Sequence, residues 1–581
     1  MAAKTRFWLA LALVAGVVVA YLPALRAGFI WNDDTYLTEN PTLDSPRALR
    51  LIWTEPGASE QYYPMVFTSF WLEKQLWGLH PLGYHLVNVL LHAASALVLW
   101  RFLRRLGRSG AWMAAAVFAL HPVCVESVAW VTERKNVLAL FLSLLSAHAL
   151  LSWREARTVA KEQKGRRGDR REAPWHRRPA VLYLAALAAF TLALAAKTTA
   201  SLLPAAFLVI VWWREGRLRS EDVRPMVPFF LVGATLALHT AWLEQTMVKA
   251  SGQEWALGLP GRLVLAGRVV LFYAWKLVWP ADLAFIYPRW VIQAGSWWQW
   301  MPVLGLVLLV GSLWWYRERV GRGPLASTLL FGGLLFPAMG FFNVYPMRYS
   351  YVADHFQYMA AAAGISGVVC GLAGLVRARP AAVRRGVAVV GGLVLVVLGW
   401  ASFGQAGAYR DDDTLWQRTL ETNPDCFMCH NNLGLSLYER GRVDEAVDHF
   451  QQSLRVKPDN VQALLNLTRV EDEAGRLDEA VNYCRRAVDV DPTSAASLLN
   501  LGTLLVRTGR AAEAVPWLEE ALRHPSPDAY LVENGLGVAC MHLGRVEEAV
   551  RHFQAAVDLN PEYWKAQANL DNARRRLPSP G

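Results

Sequence analysis

Asp33 and Asp34 form an adjacent carboxylate pair where the first long apolar run ends, in the segment Phe29-Ile30-Trp31-Asn32-Asp33-Asp34-Thr35-Tyr36. A charged Asp costs roughly 2.5–3.5 kcal/mol at the centre of a bilayer on insertion scales, and less at the interface, so an acidic pair at a membrane mouth is a functional candidate. A positioned carboxylate takes a proton from a hydroxyl group as a general base. The alternative is a solvated loop start. We favour a catalytic base at Asp33 or Asp34.

Five basic side chains stand in short segments that we place on the same membrane face as this pair. They are His121, Arg134, Lys135, Lys197 and Arg348. Basic residues near helix ends often only anchor a helix at the membrane interface. Gathered beside carboxylates, they would instead stabilise the charge of a departing phosphate. Together with a base, they indicate group transfer from a phosphate-linked donor to a hydroxyl group.

The composition requires that most of the chain lies in lipid. The 581 residues are 54% hydrophobic and only 18% charged, which is too apolar for an ordinary soluble protein. Residues 1–403 contain 40 Lys and Arg against 21 Asp and Glu, whereas residues 404–581 contain 19 against 27. The cations of the first part cluster in short loops between apolar runs, where membrane orientation explains them. The net charge of +11 therefore does not indicate a nucleic-acid partner.

Eleven apolar runs have about the length needed to cross a bilayer. They lie near residues 7–28, 84–103, 110–129, 136–153, 180–196, 199–213, 226–243, 298–316, 325–342, 357–376 and 386–403. The stretch 261–279 is also apolar, but it carries Arg262, Arg268 and Lys276. Counting it would place the later basic loops on the wrong side, so we expect an interfacial or re-entrant helix there.

The basic loops predict the orientation of these spans. Loops with an excess of Lys and Arg stay in the cytoplasm, and the segment 154–178 alone has ten Lys and Arg against four acids. This rule places the N-terminus in the cytoplasm. With eleven crossings, the outer loop 30–83, the turn 121–135, the loop 343–356 and the C-terminal part lie outside the cell's inner (plasma) membrane. Nucleotide-sugars are absent there, so a lipid-carried donor is expected.

The C-terminal part contains a repeat of 34 residues. Gly441, Gly475, Gly509 and Gly544 mark the same position in four successive copies that occupy about 427–563. Small residues where paired helices touch, and Pro at the turn between copies, are typical of tetratricopeptide repeats. We expect a half-repeat connector at 404–426 and a closing helix at 564–576. Such arrays usually bind polypeptide segments.

The sequence Cys426-Phe427-Met428-Cys429-His430 matches the C-x-x-C-H attachment signature of c-type haem. His430 takes an inward position in the first repeat helix, where a porphyrin would disrupt packing. We therefore favour a disulfide or a free thiol pair at Cys426 and Cys429. Haem attachment stays open as the alternative.

At these residues the chain resembles the TMTC-type proteins, in which a GT-C glycosyltransferase membrane bundle is followed by tetratricopeptide repeats, similar to the protein O-mannosyltransferases. The matching stretches are Trp31-Asn32-Asp33-Asp34-Thr35-Tyr36-Leu37-Thr38-Glu39-Asn40-Pro41, Tyr63-Pro64-Met65-Val66, Gly83-Tyr84-His85-Leu86-Val87-Asn88, His121-Pro122 with Glu126-Ser127-Val128, and Arg348-Tyr349-Ser350-Tyr351-Val352-Ala353-Asp354. Both parts of the chain share in the resemblance.

The resemblance implies an all-α protein that transfers mannose, or a related sugar, from a polyprenyl-phosphate donor to Ser or Thr of a polypeptide, without a required metal. It implies a GT-C-like membrane domain of about eleven helices at 1–403 and a tetratricopeptide α-solenoid at 427–581 that binds the acceptor. It also implies a catalytic role for Asp33 or Asp34, with Glu126 nearby.

Two other function classes remain open from the sequence. One is a membrane-anchored repeat scaffold that assembles envelope proteins without catalysis. The other is a haem-bearing electron carrier, with His449 or His542 as the second axial ligand. An anchor of eleven spans is far more than a scaffold needs, and this favours the enzyme.

Overall fold

The computed structural model describes residues 3–58, 61–165, 174–246 and 257–577. The chain divides into two compact units, Met1–Asn423 (unit 1) and Pro424–Gly581 (unit 2). The boundary falls within the predicted half-repeat connector. All regular secondary structure in the described ranges is helical. The all-α class predicted from the sequence is therefore confirmed.

Unit 1 contains nineteen α-helices within the described residues. They are α1 (Ala3–Ala20), α2 (Pro41–Asp44), α3 (Ala48–Thr54), α4 (Pro64–Trp77), α5 (Pro81–Arg105), α6 (Ala111–Ala119), α7 (Val125–Ala129), α8 (Arg134–Gly165), α9 (Pro179–Ala196), α10 (Leu203–Glu215), α11 (Ser220–Val223), α12 (Val227–Thr246), α13 (Leu259–Val278), α14 (Met301–Trp315), α15 (Arg317–Val320), α16 (Gly323–Leu335), α17 (Tyr358–Arg377), α18 (Ala381–Ala406) and α19 (Asp412–Thr422). Short 3-10 turns precede several of them, including Val131–Glu133 before α8, Thr198–Leu202 before α10 and Asp354–Gln357 before α17.

Eight helical segments are long and apolar enough to cross a membrane. They contain α1, α5, α8, α9, α12, α14, α17 and α18. The helix α8 is central, since 72% of its apolar window is buried, whereas only 6% is buried in the windows of α14 and α18. Apolar helix faces as exposed to solvent as those of α14 and α18 are unstable in water, and a lipid bilayer would bury them. The fold is that of a multi-pass membrane protein.

The predicted span 110–129 is broken in the structure. The segments Ala111–Ala119 and Pro122–Ala129 meet at an angle of 57° and count as a ninth span if the bent pair crosses as one. Proline at 122 cannot continue the hydrogen-bond ladder. The Phe118 carbonyl, which loses the bond from residue 122, accepts from the His121 N–H at 3.4 Å. The Leu120 carbonyl at the break accepts from Ser402 Oγ at 2.9 Å, so the protein itself satisfies both groups.

The two remaining predicted spans, 199–213 and 325–342, coincide with the 13-residue helices α10 and α16. Helix α10 and its 3-10 lead-in rise roughly 30 Å together, about the thickness of the hydrocarbon layer. Both ends of this stretch are fixed against α8, because Lys197 donates to Asn136 at 2.7 Å and Glu215 pairs with Arg154. It therefore runs about the same distance as α8 does between Asn136 and Arg154, and the eleven-crossing topology stays a prediction.

The stretch 261–279, expected to be interfacial or re-entrant, forms α13 and is not among the eight apolar segments. Its cations are satisfied within the protein. Arg262 donates to Asn343 Oδ1 at 2.8 Å, and the guanidinium of Arg268 lies 4.3 Å from the centre of the Trp290 ring. Lys276 donates to the carbonyls of Ala281 and Asp282 at 2.6 and 3.0 Å. These contacts explain how an apolar helix with three basic residues is stable there.

The bundle has two chemically different ends. At the arginine end, Arg105 pairs with Glu155 at 2.7 Å, Arg154 with Asp222 at 3.0 Å, and Arg108 lies over the ring of Trp213. At the carboxylate end lie Asp33, Glu126, Glu133 and Asp354, all buried. Helix α8 joins the ends, since Asn136 near its start and Arg154 are separated by about 27 Å of helix.

Unit 2 is built from paired helices within its described residues. They are α20 (Phe427–Glu439), α21 (Val443–Val456), α22 (Val461–Glu473), α23 (Leu477–Val490), α24 (Ala495–Arg507), α25 (Ala511–Leu522), α26 (Ala529–His542), α27 (Val546–Leu559) and α28 (Trp564–Arg575). The first eight form four hairpins that coincide with the four predicted repeats, and α28 lies where the closing helix is predicted. The repeat architecture is confirmed.

Two glycines of the repeat lie where the paired helices are so close that a Cβ would not fit. A Cβ at Gly537 would lie 2.5 Å from ring carbons of Phe553, and one at Gly434 would lie 2.8 Å from the ring of Phe450. By contrast, a Cβ at Gly535, on the same helix α26, would meet Leu518 at 3.4 Å, an ordinary contact distance.

We predict that Gly537→Ala lowers the stability of the repeats, because overpacking a closed helix contact costs about 1–3 kcal/mol. Gly535→Ala is the matched control, and it should be neutral or stabilising since Ala favours a helix by about 0.5–1 kcal/mol over Gly. Thermal unfolding of both full-length variants in detergent measures the difference. Equal melting temperatures would contradict the tight helix contact.

Candidate active site

Asp33 ties the loop after α1 to the 3-10 turn Val131–Glu133 that precedes α8. Its Oδ1 accepts hydrogen bonds from the Thr132 backbone N–H at 2.9 Å and from Thr132 Oγ1 at 2.6 Å, while Oδ2 accepts from the Ile30 N–H at 3.0 Å. The side chain is fully buried. Burial raises the pKa of Asp33 to about 7, and the hydrogen bonds limit that rise. A carboxyl group with this pKa is suited to exchange protons near neutral pH.

Asp34 points the other way. It begins the single π-helical turn Asp34–Thr38, it is exposed, and its Oδ1 accepts from the Thr35 N–H at 2.6 Å. The backbone just before the pair is unusual, because Trp31 has a φ of 51°. A bulky residue in the left-handed region costs of order 1–3 kcal/mol, and such strain clusters at functional sites. The pair thus combines one buried and one exposed carboxylate.

Glu126 is a buried partner of His355. Its Oε1 lies 2.8 Å from His355 Nδ1, and its Oε2 accepts from the His355 backbone N–H at 3.0 Å. This two-point contact joins α7 to the turn Asp354–Gln357. It fixes the His355 ring with Nε2 3.9 Å from Glu133 Oε1. The Glu126 carboxylate is therefore engaged in orienting an imidazole.

Glu133 lies at the centre of the cations. Lys135 Nζ lies 2.8 Å from one carboxylate oxygen of Glu133, and Lys197 Nζ lies 3.6 Å from the other. Asn136 joins the same group, since it accepts from Lys197 and donates to the His355 carbonyl at 3.0 Å. Two ammonium groups that share one carboxylate leave a local excess of positive charge, which a phosphate complements.

Lys197 ends α9 and therefore lies between two apolar segments. Its side chain is 13% exposed. Burial lowers the pKa of Lys197 to about 8, and the neighbouring Glu133 carboxylate limits the drop. The ammonium ion is thus charged at neutral pH and loses its proton only slightly above it.

Arg134 is directed away from this group. It pairs with Glu73 of α4, and it donates to Asn88 Oδ1, to Ser69 Oγ and to the Tyr84 carbonyl at 2.7 Å. Its guanidinium is fully buried, with most of its N–H groups occupied. The prediction that Arg134 binds phosphate is therefore not supported, because the residue locks α4, α5 and α8 together.

The other two predicted phosphate ligands, His121 and Arg348, have contacts of a different kind. His121 is buried at the break between α6 and α7, where Nε2 contacts the Leu277 carbonyl at 3.1 Å and Nδ1 accepts from the Val123 N–H at 3.4 Å. Both ring nitrogens are used, which indicates a structural role. Arg348 is half-buried in the turn Tyr345–Arg348, with its guanidinium 6.0 Å from the centre of the Tyr349 ring.

Sequence reasoning missed four side chains that organise the site. They are Thr132, Glu133, Asn136 and His355. Three of them lie within five residues at the start of α8. The sequence signal was the high density of charged residues at 126–135 between two apolar runs. It indicated the basic residues, but it did not show that Glu133 is the carboxylate shared by Lys135 and Lys197. Among the described residues, no three His, Cys, Asp or Glu side chains are arranged to hold a metal ion.

Cys426 and Cys429 form a disulfide in unit 2, and both are buried. His430 Nε2 contacts the Pro424 carbonyl at 3.0 Å, and its Nδ1 lies 2.9 Å from His449 Nδ1. Thioether bonds to haem require free sulfur atoms, and an axial ligand requires a free imidazole nitrogen. The residues present therefore do not fit a haem.

Comparison with known proteins supports both the repeats and the resemblance. Tetratricopeptide repeat family matches cover residues 413–461, 431–495 and 499–563. The chain is 37% identical over 137 residues to protein O-mannosyl-transferase TMTC2 of Mus musculus, covering 22% of this chain and 16% of that protein. It is 34% identical over 147 residues to protein O-mannosyl-transferase Tmtc1 of Drosophila melanogaster, covering 23% and 17%.

This chain is similar to TMTC-type proteins. It matches 16–17% of the length of these two relatives, and the aligned stretches are shorter than unit 1. A solved structure, YrrB, a TPR protein with an unusual peptide-binding site, is similar with 20% identity and a TM-score of 0.25, covering 27% of this chain and 80% of that one.

We predict that Glu73→Ala destabilises unit 1 by about 3–5 kcal/mol, because it leaves the Arg134 charge buried and unpaired. The control is Asp44→Ala, which removes the partner of Lys74 on the same helix α4. Asp44 is 63% exposed, so its loss should cost under about 1 kcal/mol. Denaturant unfolding of the full chain in detergent measures both. Similar small losses in the two variants would show that Arg134 is not a structural anchor.

Proposed function

We propose that this protein is an integral membrane glycosyltransferase of the GT-C class. It transfers a mannose-like sugar from a polyprenyl-phosphate donor to Ser or Thr of a polypeptide, on the non-cytoplasmic face. The observation that carries this proposal is a juxtaposition along the chain. Thr132 donates a hydrogen bond to Asp33, and the residue after it, Glu133, forms ion pairs with Lys135 and Lys197. One segment thus links a candidate base to candidate phosphate ligands.

The proposed reaction is a single displacement. The acceptor oxygen bonds to the anomeric carbon of the sugar, the bond from that carbon to the phosphate oxygen breaks, and Asp33 takes the hydroxyl proton. Polyprenyl phosphate leaves with the electron pair, so the anomeric configuration inverts. The negative charge that develops on the phosphate is stabilised by Lys135 and Lys197. No protonating acid is required, because a phosphate monoester is a fair leaving group near neutral pH.

Asp33 is our choice for the base because its pKa is about 7. The residue is covered in this structure, so the acceptor reaches it only when side chains of the outer loop 30–83 move aside. Catalytic hydrogen bonds often form only in the substrate complex. The exposed Asp34 then lies at the entrance to the site, where the acceptor arrives. In this proposal Glu126 acts through His355, which it orients toward Glu133.

The separation of the bundle ends supports the proposed orientation. Basic loops accumulate on the cytoplasmic side of membrane proteins, and Arg105, Arg108 and Arg154 share one end while Asp33 and Glu133 share the other. We infer that the arginine end faces the cytoplasm of the inner membrane, together with the N-terminus. The carboxylate end then faces the outside, where lipid-linked sugars are the available donors.

We also infer that the repeats lie outside and bind the polypeptide acceptor. Asn423, the last residue of unit 1, belongs to the carboxylate end, because its side chain donates to the Ile286 carbonyl and α19 contacts Trp31. The chain therefore leaves unit 1 on the proposed outer side. No nucleic-acid partner is proposed.

We predict that Asp33→Asn abolishes sugar transfer, because an amide cannot accept the proton. In the wild-type protein, kcat/KM should rise with pH through about 7, since only the ionised carboxylate acts as a base. Purified full-length protein, a synthetic polyprenyl-phosphate mannose and a Thr-containing peptide provide the assay. Membrane expression and repeat folding serve as controls. An active Asp33→Asn variant and an inactive Asp34→Asn variant would assign the base to Asp34, and full activity in both variants would show that neither carboxylate is the base.

We predict that Lys197→Met raises the KM for the donor about tenfold or more, as expected for the loss of a charge-assisted hydrogen bond. Wild-type activity should fall as the pH rises through about 8, because Lys197 then loses its charge. Lys197→Arg should retain activity and move this alkaline decline to higher pH. A decline that is unchanged in Lys197→Arg would show that Lys197 is not the titrating phosphate ligand.

A further inference from the structure

The segment that joins α18 to α19 contacts the chain immediately before the acidic pair. The carbonyl of Arg410 accepts a hydrogen bond from the Gly28 N–H at 2.9 Å. Two residues later, Asp412 Oδ1 accepts from the Trp31 N–H at 2.8 Å. The partners are about 380 positions apart in sequence, and both belong to unit 1. Two hydrogen bonds, one to a backbone carbonyl and one to a side-chain carboxylate, therefore hold residues 28–31.

Aromatic rings reinforce these contacts. The Trp31 ring lies edge-on to Trp416 of α19, with centroids 4.9 Å apart, and to Phe285 at 5.9 Å. Phe285 in turn lies 5.0 Å from Trp130, two residues before Thr132. The same ring cluster thus contacts the start of α19, the chain before Asp33, and the chain before its hydrogen-bond partner.

Trp31 needs such support because its φ of 51° is a conformation that bulky residues rarely adopt. A strained backbone persists only where the surroundings hold it in place. Its N–H points to the Asp412 carboxylate as a consequence of that conformation. The following residues then turn so that Asp33 reaches Thr132 and Asp34 faces outward.

We propose that Asp412 and Trp416 are positioning residues for the acidic pair, so that the connector after the last span is an essential part of the active site. This inference rests on the proposed function only for its effect on catalysis. Independently of catalysis, Asp412 holds Trp31 in the left-handed region, and the backbone at Trp31 sets the directions of Asp33 and Asp34.

Substitution at Asp412 does not remove the start of α19. The N-cap of that helix is Asp411, whose Oδ1 accepts from the Thr414 N–H at 2.9 Å and from Thr414 Oγ1 at 2.6 Å. Asp412→Ala therefore deletes the contact with Trp31 while the helix keeps its cap. Asp412→Asn retains a side-chain oxygen that can accept the Trp31 N–H, and it serves as the conservative variant.

The first experiment is hydrogen–deuterium exchange by mass spectrometry on the full chain in detergent. We expect Asp412→Ala to speed amide exchange in the peptide that covers residues 28–36 by about tenfold or more, since a hydrogen bond to a charged acceptor is lost. Asp412→Asn should exchange at a rate close to that of the wild type. The matched control is Glu421→Ala on the same helix, because Glu421 is 63% exposed and pairs only locally with Arg418.

Exchange that stays at the wild-type rate in Asp412→Ala would overturn the proposal, whether or not the protein transfers sugar. A faster exchange confined to 28–36 would support it. A general increase over unit 1 would show that Asp412 is needed for the fold as a whole, and this would overturn the specific positioning role.

The second experiment is the sugar-transfer assay described above. We expect Asp412→Ala to lower kcat about tenfold or more with the KM for the donor nearly unchanged, because the misplaced base, and not the phosphate site, is affected. Asp412→Asn should restore most of kcat. Transfer that requires Asp33 but is normal in Asp412→Ala would overturn the positioning role and leave the proposed function intact. Absence of transfer by the wild-type protein would refute the function and leave the exchange result to decide the inference.

Discussion

The contact between Asp33 and Thr132 is the interaction on which the carboxylate end depends. A buried carboxyl group is stable only where hydrogen bonds replace water, and the start of α8 supplies two of the three that Asp33 accepts. This contact joins the loop after α1 to the turn before the central helix α8, although Asp33 and Thr132 are 99 positions apart in sequence. In the same short stretch, Glu133 contacts Lys197, and Asn136, near the start of α8, donates to the His355 carbonyl.

Charged and polar side chains at this end are held in small groups. Glu126 engages His355, Glu133 engages two lysines, and Arg134 engages Glu73 of α4. The third group illustrates a general constraint, because a fully buried guanidinium with a paired carboxylate is costly to expose and rarely free to bind a ligand. The two lysines differ, since they share one carboxylate and stay partly exposed.

The membrane explains the remainder of unit 1. Helices such as α14 and α18 expose apolar side chains that only lipid covers, and the central α8 carries the polar contacts at both ends. Irregular backbone occurs where the protein satisfies it, as at the break beside Leu120 and at the 3-10 lead-in to α10. Unit 2 follows a simpler rule, with glycines at helix contacts and a large side chain opposite each, such as Phe450 for Gly434 and Leu518 for Gly502.

The sequence by itself determined the helical class, most of the apolar helices and the four repeats, because hydrophobic period and repeat spacing are local properties of the chain. It also singled out Asp33, Asp34, Lys135 and Lys197. Only the tertiary structure separated Lys197 from Arg134, paired Glu126 with His355, and brought Asp412 to Trp31. The reason is physical: adjacent residues on a helix start point in different directions, and the partner that neutralises each charge comes from a segment distant in sequence.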